Sequence, residues 1–275
     1  MGQANSQNGI ISLRNVTKFF DGKKIIKNLS LDIYRGETFV LMGCSGSGKS
    51  TILRLMTGVI RPEKGNIIIK NNDIAKMAPE QLGEIRKKFG MVFQYSALLD
   101  SLSVEDNVAL PLREHTNLSE SIIRIIVRMK LALVGLRGFE QHHPAKISGG
   151  MRKRVGLARA IALDPDIVFY DEPTSGLDPV IGGAIEHLII DLSKKLNITS
   201  VVVTHNMQSI FRIADRIAML HQGEIVHLGD LNQIKNSSNA YVRQFINGLP
   251  EGPIDFFKQN TDVFEEFSLL KRRCP

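Results

Sequence analysis

Gly43-Cys44-Ser45-Gly46-Ser47-Gly48-Lys49-Ser50-Thr51 decides how this chain is read. The run satisfies Gly-x-x-x-x-Gly-Lys-[Ser/Thr], the pattern of a phosphate-binding loop, and its flanks are the required ones. Phe39-Val40-Leu41-Met42 precedes it as a short apolar run that reads as a buried strand. Ile52, Leu53, Leu55 and Met56 follow at helical spacing, and Gly58 is placed to stop that helix. The glycines let backbone N–H groups turn inward around an anion, and the helix start adds positive dipole. Lys49 is expected to reach the β- and γ-phosphates of a nucleotide, and the Ser50 hydroxyl to ligate Mg²⁺.

A second carboxylate-bearing strand fits beside this loop. Ile167-Val168-Phe169-Tyr170 is apolar and ends in Asp171-Glu172. Ligands bind at the C-terminal ends of strands in α/β sheets, which brings both carboxylates to the phosphates. Asp171 is expected in the Mg²⁺ shell, through water, and Glu172 is the candidate general base for an attacking water.

Ser148-Gly149-Gly150 opens a further helix and makes a second anion-type start. One nucleotide cannot easily use both starts within one subunit. Head-to-tail pairing of two copies resolves this, with Ser148, Gly149 and Gly150 of one closing on the γ-phosphate held by Lys49 of the other.

The rest of the chain bounds these readings. It has 275 residues, 43% hydrophobic and 23% charged, ordinary proportions for a globular protein. No apolar run reaches the roughly 18 residues of a spanning helix. The richest stretch, Ile122 to Leu136, is broken by Arg124, Arg128 and Lys130. The start of the chain has no basic-then-apolar signal pattern, so a cytosolic protein is expected, with any membrane role left to a partner. Two cysteines, Cys44 and Cys274, do not make a disulfide framework. The net charge of +7 suits an anionic neighbour without selecting one. Arg86-Lys87-Lys88 and Arg152-Lys153-Arg154 read as solvated faces, and no nucleic-acid partner is expected.

Ile11–Val16, Leu29–Ile33 and Asn66–Lys70 read as strands of an antiparallel layer, with a turn at Asp21-Gly22. Phe39–Met42, Met91–Phe93, Ile167–Tyr170 and Ser200–Val203 alternate with helical segments and predict a parallel sheet. Between Gln94 and Pro165 the pattern is helical alone, over Val104–Leu112, Ser119–Leu136 and Gly150–Leu163, with Ser119 placed as an N-cap.

The loop at 43–51, Ser148-Gly149-Gly150-Met151, Asp171-Glu172, Ser175-Gly176-Leu177-Asp178 and Thr204-His205 stand in an order that resembles ATP-binding-cassette (ABC) ATPases. The resemblance implies an α/β P-loop NTPase with a RecA-like parallel-sheet core, an antiparallel β layer and an inserted helical subdomain. It implies a domain over 11–247 with the helical subdomain at about 95–165, after a flexible 1–10 and before an extension at 248–275. It further implies that Gln94 contacts Mg²⁺ and links the site to a membrane partner. Asp178 then joins the two sites of a dimer, His205 holds the γ-phosphate and the water activated by Glu172, and Phe20 stacks on adenine.

Three segments narrow the likeness to the ATPases of Mla/Mce-type phospholipid transporters: Phe93 to Thr116, Ser148 to Ala160 and Val242 to Pro253. Met151 departs from the glutamine usual in ABC ATPases and resembles this group. The group implies an ATP-hydrolysing homodimer with Mg²⁺, peripheral on the cytoplasmic face of a bacterial inner membrane. Its implied partners are an integral-membrane permease dimer, an Mce-domain lipid-binding protein and a small cytosolic accessory subunit. The alternatives are an ABC ATPase for another solute such as an amino acid, or one acting on nucleic acid or ribosomes. The apolar stretch Tyr95, Ala97, Leu98, Leu99 and Leu102 is read as the seat of a permease helix, and Phe264, Phe267 and Leu270 are spaced to line one face of a helix.

Overall fold

A hairpin of β1 (Ile11–Phe20) and β2 (Lys23–Ile33) turns at Asp21 and Gly22, both with positive φ, as a two-residue hairpin requires. β3 (Thr38–Met42) is buried at all five residues and delivers the chain through the glycine loop into α1 (Lys49–Met56). β4 (Lys64–Ile69) and β5 (Asn72–Asp73) complete a four-stranded antiparallel sheet in the order β2-β1-β4-β5. α2 (Pro79–Arg86) and β6 (Phe89–Val92) follow. Next come α3 (Val104–His115), α4 (Glu120–Leu133) and α5 (Gly149–Ala160), with no strand among them. β7 (Ile167–Asp171), α6 (Pro179–Leu196), β8 (Thr199–Val203), α7 (Met207–Ile213), β9 (Arg216–His221) and β10 (Glu224–Asp230) lead to α8 (Leu231–Lys235) and α9 (Ala240–Asn247). This computed structural model describes residues 9–254; the expectations for the first eight residues and for the tail containing Phe264, Phe267, Leu270 and Cys274 lie outside the described residues.

The second sheet has six strands in the order β10-β9-β3-β8-β7-β6, parallel except for the β9–β10 pair. Its register positions the chemistry. Leu41 pairs with Val203, and Asp171 pairs with the same Val203. The C-terminal ends of β3, β8 and β7 are therefore level, and whatever follows them emerges at one edge of the sheet.

Side chains alternate across this sheet and feed two cores. Val40, Met42, Val168, Tyr170 and Val202 join one core with the helices α3 to α7. Phe39, Leu41, Ile167, Phe169, Val201 and Val203 join the other, with α1 and the antiparallel layer. Burial on both faces is why these strands read as unbroken apolar runs rather than alternating ones.

Two details differ from the sequence reading. Ser119 stands at the N-cap position of α4 but gives no cap bond; its Oγ lies 3.0 Å from Ser121 Oγ. The β9–β10 hairpin was not legible, yet β9 lies against β3 and its turn braces the glycine loop.

Candidate functional site

The glycine loop is shaped by what approaches it. Gly43 has φ 147°, and a Cβ there would sit 2.2 Å from the backbone oxygen of Leu220 on β9. Gly223, in the β9–β10 turn, donates its N–H to Ser47 O at 3.0 Å and accepts from Lys27 N at 3.0 Å, tying hairpin, turn and loop together. Gly48 caps α1 in the left-handed region with no side-chain bond, so the first N–H groups of that helix are left for a ligand. Ser47 Oγ is buried with no partner among the described residues. Lys49 Nζ donates to Gly43 O at 2.7 Å and Cys44 O at 2.8 Å, folded over the concavity of its own loop. Burial pulls the Lys49 pKa below its usual value, partly offset by the carboxylates of Glu172 and Asp171. Burial pushes the Cys44 thiol up, which keeps it from acting as a thiolate nucleophile.

A cleft of about 380 Å³ unites this loop with the ends of β7 and β8. Its lining includes Ser45, Gly46, Gly48, Lys49, Ser50, Thr51, Gln94, Asp171, Glu172 and His205. Glu172 leaves β7 with φ 46°, a conformation that L-residues adopt sparingly and that gathers at working sites. Its N–H is held by Val203 O at 2.9 Å. The two carboxylate oxygens are held separately, one by Thr204 Oγ1 at 3.1 Å and the other by His205 Nδ1 at 2.6 Å. Because a carboxylate only accepts, His205 carries its proton on Nδ1 and presents Nε2 elsewhere. Burial, and then the charge of Glu172, raise the Asp171 pKa.

The donors present suit Mg²⁺ with a nucleotide. Ser50, Gln94 and Asp171 are hard oxygen donors in one cleft. Among the described residues no cluster of three or more His, Cys, Asp or Glu could cage a metal alone. A magnesium ion that keeps several waters and shares phosphate oxygens needs no such cage. Gln94 Nε2 also reaches Ser175 Oγ at 3.4 Å.

The remaining sequence candidates lie apart. Ser148, Gly149 and Gly150 do not line the Lys49 cleft. Ser148 caps α5, its Oγ accepting from Met151 N at 3.3 Å. A Cβ on Gly150 would come within 2.6 Å of Ile181 Cγ2, so the start of α5 sits directly on α6. Asp178 caps α6 through Oδ1, which accepts from Val180 N and Ile181 N, both at 3.0 Å. Phe20 ends β1 at the hairpin tip, 40% exposed, with Lys18 Nζ 5.3 Å from its ring centre.

Three residues on the helical side were not singled out from sequence. Lys153 is 6% exposed, so the run Arg152-Lys153-Arg154 is not the solvated face expected of it. Its Nζ donates to Gln94 O, and to Glu172 O at 3.5 Å. Arg159 donates to Ala97 O at 2.6 Å and Ser96 O at 2.7 Å. Asn107, fully buried, accepts from Leu99 N and donates to the carbonyls of Leu99, Leu102 and Ser103. Lys153, Gly156 and Arg159 recur every three residues, a shared helix face that periodicity could have flagged. Beside them, Phe93, Tyr95 and Leu99 are exposed, Tyr95 by 86%, whereas Leu98 packs on the core and Leu102 is half-buried. Phe93, Leu99, Leu110 and Pro111 line a groove of about 450 Å³ there.

Comparison with known proteins agrees with this geometry. Residues 26–175 match the family described as ABC transporter. The chain is 42% identical to the "Intermembrane phospholipid transport system ATP-binding protein MlaF" of Haemophilus influenzae, over 94% of this chain and 97% of that one. It is 44% identical to the "Probable ribonucleotide transport ATP-binding protein mkl" of Mycobacterium leprae, over 95% of this chain and 76% of that one. Among solved structures it resembles the dimeric ATP-binding cassette MJ0796 in a post-hydrolysis state with ADP and Pi. That likeness has TM-score 0.74 and 35% identity, over 80% of this chain and 98% of that chain.

Proposed function

Since the chain belongs to the ABC transporter family and is an ABC-type ATPase, we propose that it energises phospholipid transport by binding two ATP molecules between two of its copies. The observation that carries this is the split between two sets of groups. Lys49, Ser50, Asp171, Glu172 and His205 meet in one cleft, while the helix start at Ser148 lies outside it. A second copy, turned head to tail, supplies the missing Ser148, Gly149 and Gly150.

Lys49 exchanges the carbonyls of Gly43 and Cys44 for β- and γ-phosphate oxygens. Loop N–H groups from Cys44 to Thr51 hold the phosphate chain, and Phe20 stacks on the base. Ser50, Gln94 and, through water, Asp171 would hold Mg²⁺, which when bound neutralises phosphate charge. Glu172, oriented by Thr204 and His205, accepts the proton of the attacking water. His205 donates to the γ-phosphate from Nε2 when that nitrogen carries a second proton, with Nδ1 still on Glu172, and Asp178 contacts the partner copy across the dimer. Hydrolysis removes the phosphate contact that favours closure, so the pair reopens.

The exposed stretch around Tyr95 and Leu99 seats a helix of an integral-membrane permease dimer. On this reading the ATPase is a peripheral subunit on the cytoplasmic face of the inner membrane, with an Mce-domain protein receiving or supplying lipid. Among the described residues no helix is long and apolar enough to cross a membrane. The small accessory subunit has an apolar surface available on α4, where Ile122, Ile125, Met129 and Leu133 are exposed.

The cargo is the point on which the relatives' names divide. Phospholipid is favoured because the match to MlaF runs nearly the full length of both chains. The deciding experiment co-purifies the chain with its permease, reconstitutes the complex in vesicles, and follows a fluorescent phospholipid and a labelled ribonucleotide separately. ATP-dependent movement of the lipid, abolished by Lys49→Ala, is expected. Movement of the nucleotide alone would replace phospholipid with the other cargo.

A further inference from the structure

Helix α5 grips the loop after β6 at three successive points on one face. Lys153 donates to the carbonyl of Gln94. Three residues on, Gly156 faces the loop at Ser96, which an added Cβ would meet at an ordinary contact distance of 3.5 Å. Three residues further, Arg159 donates to the carbonyls of Ser96 and Ala97. Ser96 and Ala97 both have positive φ, 62° and 46°. Side-chain-bearing residues persist in that region only where the surroundings over-determine them. Arg159 holds Ser96 and Ala97 themselves and Lys153 holds the adjoining Gln94; both aim at main-chain oxygens, so they fix the path of the loop whatever side chains it carries.

Lys153 has a second contact that Arg159 lacks. Its Nζ reaches Glu172 O at 3.5 Å, beneath the strained backbone of that residue. It does not bond to the Glu172 carboxylate, which Thr204 and His205 hold. A role in the proton path is therefore not indicated; a role in holding the two main chains is.

We propose that Lys153 and Arg159 are positioning residues that make α5 and the loop 94–97 one mechanical body. What Ser148 meets at the start of α5 is thereby passed to Tyr95 and its apolar neighbours, and through Lys153 to the backbone beneath Glu172. The inference rests on the reading of Glu172 as the base and of the Tyr95 stretch as the permease seat. It adds the part that ties them together, and it separates two effects: loss of Arg159 loosens the loop, whereas loss of Lys153 loosens the loop and misplaces Glu172.

The test uses the purified full chain and the variants Lys153→Met, Lys153→Arg and Arg159→Met. Hydrogen exchange is read without nucleotide at the amides of Ser96 and Leu99, which are bonded to Phe93 O at 2.9 Å and Asn107 Oδ1 at 2.8 Å. Both methionine variants are expected to exchange about tenfold faster there, with α1 unaffected. ATP turnover by Lys153→Met is expected to fall about tenfold or more at a KM within about threefold of the parent. The fall for Arg159→Met should be smaller, and Lys153→Arg should recover at least half of the turnover. Unchanged exchange in both methionine variants overturns the clamp, as does Lys153→Arg behaving like Lys153→Met. Should Lys153→Met fail to fold, Lys153→Gln takes its place in both measurements. Glu172→Gln is run in parallel: normal turnover in that variant would remove the base assignment and leave the exchange data to judge the clamp alone.

Discussion

Two glycine-rich helix starts stand in this chain, and they are built for different partners. The start of α1 has no side-chain cap, a lysine in its first turn and a loop bent by Gly43 and Gly48. The start of α5 is capped by its own Ser148, has its nearest cation, Arg152, bonded back to Ile147 O at 2.9 Å, and rests on α6. The first leaves its N–H groups uncommitted and holds its lysine only on carbonyls of its own loop, so it can enclose an anion. The second has satisfied part of its own demand and offers an exposed surface that can close over an anion held elsewhere. The difference teaches that two similar sequence patterns divide into pocket and lid according to what caps them.

The sharpest separation of the two should come from chemistry beside α1. Glu172→Gln is expected to lower turnover by about 10²–10⁴-fold with ATP still bound, read by single-turnover kinetics and nucleotide retention. An unchanged rate removes Glu172 from the reaction. Lys49→Ala should weaken ATP binding by about a hundredfold or more, the loss of two charge-assisted hydrogen bonds, measured by titration calorimetry. Ser148→Arg should leave ATP binding to the lone chain within about threefold while stopping turnover of the pair. Mixing it with Lys49→Ala should restore one working composite site per dimer; no recovery in the mixture would break the pocket-and-lid distinction.

The glycines sharpen the same contrast through stability. Gly43→Ala forces a Cβ onto the Leu220 carbonyl in a left-handed backbone and should cost about 3 kcal/mol by urea unfolding. Gly150→Ala meets only the partly exposed Ile181 side chain, and alanine favours the helix, so its net effect should stay within about 1 kcal/mol. Equal costs at the two positions would mean that the loop is no more constrained than the lid.

The smallest effect concerns Asp171. Its pKa is raised in the folded protein, first by burial and then by Glu172. A raised carboxyl binds its proton more tightly when folded, so its effect turns against folding as pH climbs from the ordinary Asp value through the folded one. Asp171→Asn should therefore raise the Tm at neutral pH in Mg²⁺-free buffer. The gain should disappear below the ordinary Asp value of 3.8, where both states are protonated. Calorimetry across that range that shows a lower Tm at pH 7 would contradict the sign.

Much of the architecture was legible because the informative residues are local. Phe39 to Met42, the glycine loop and Ile52 to Met56 spell strand, loop and helix in one continuous run, and Ile167 to Glu172 spells a buried strand with its carboxylates. Charge was less legible. Arg152-Lys153-Arg154 looked like a solvated face, yet Lys153 points inward, because its burial depends on where Gln94 and Glu172 lie in space. The β9–β10 hairpin was missed for a similar reason: its work is to press Leu220 and Gly223 on the loop, a contact that spans nearly the whole domain in sequence.

Residue order alone pointed to a nucleotide phosphate, to the loop proposed to bind it and to the carboxylates proposed to serve it, since each motif carries its own backbone requirement within a few positions. Tertiary structure decided which groups meet. The register that levels β3, β7 and β8 gathers Lys49, Glu172 and His205, while the packing of α5 on α6 leaves Ser148 outside their cleft. Register and packing are properties of distant segments fitted together, and no short stretch of sequence contains them.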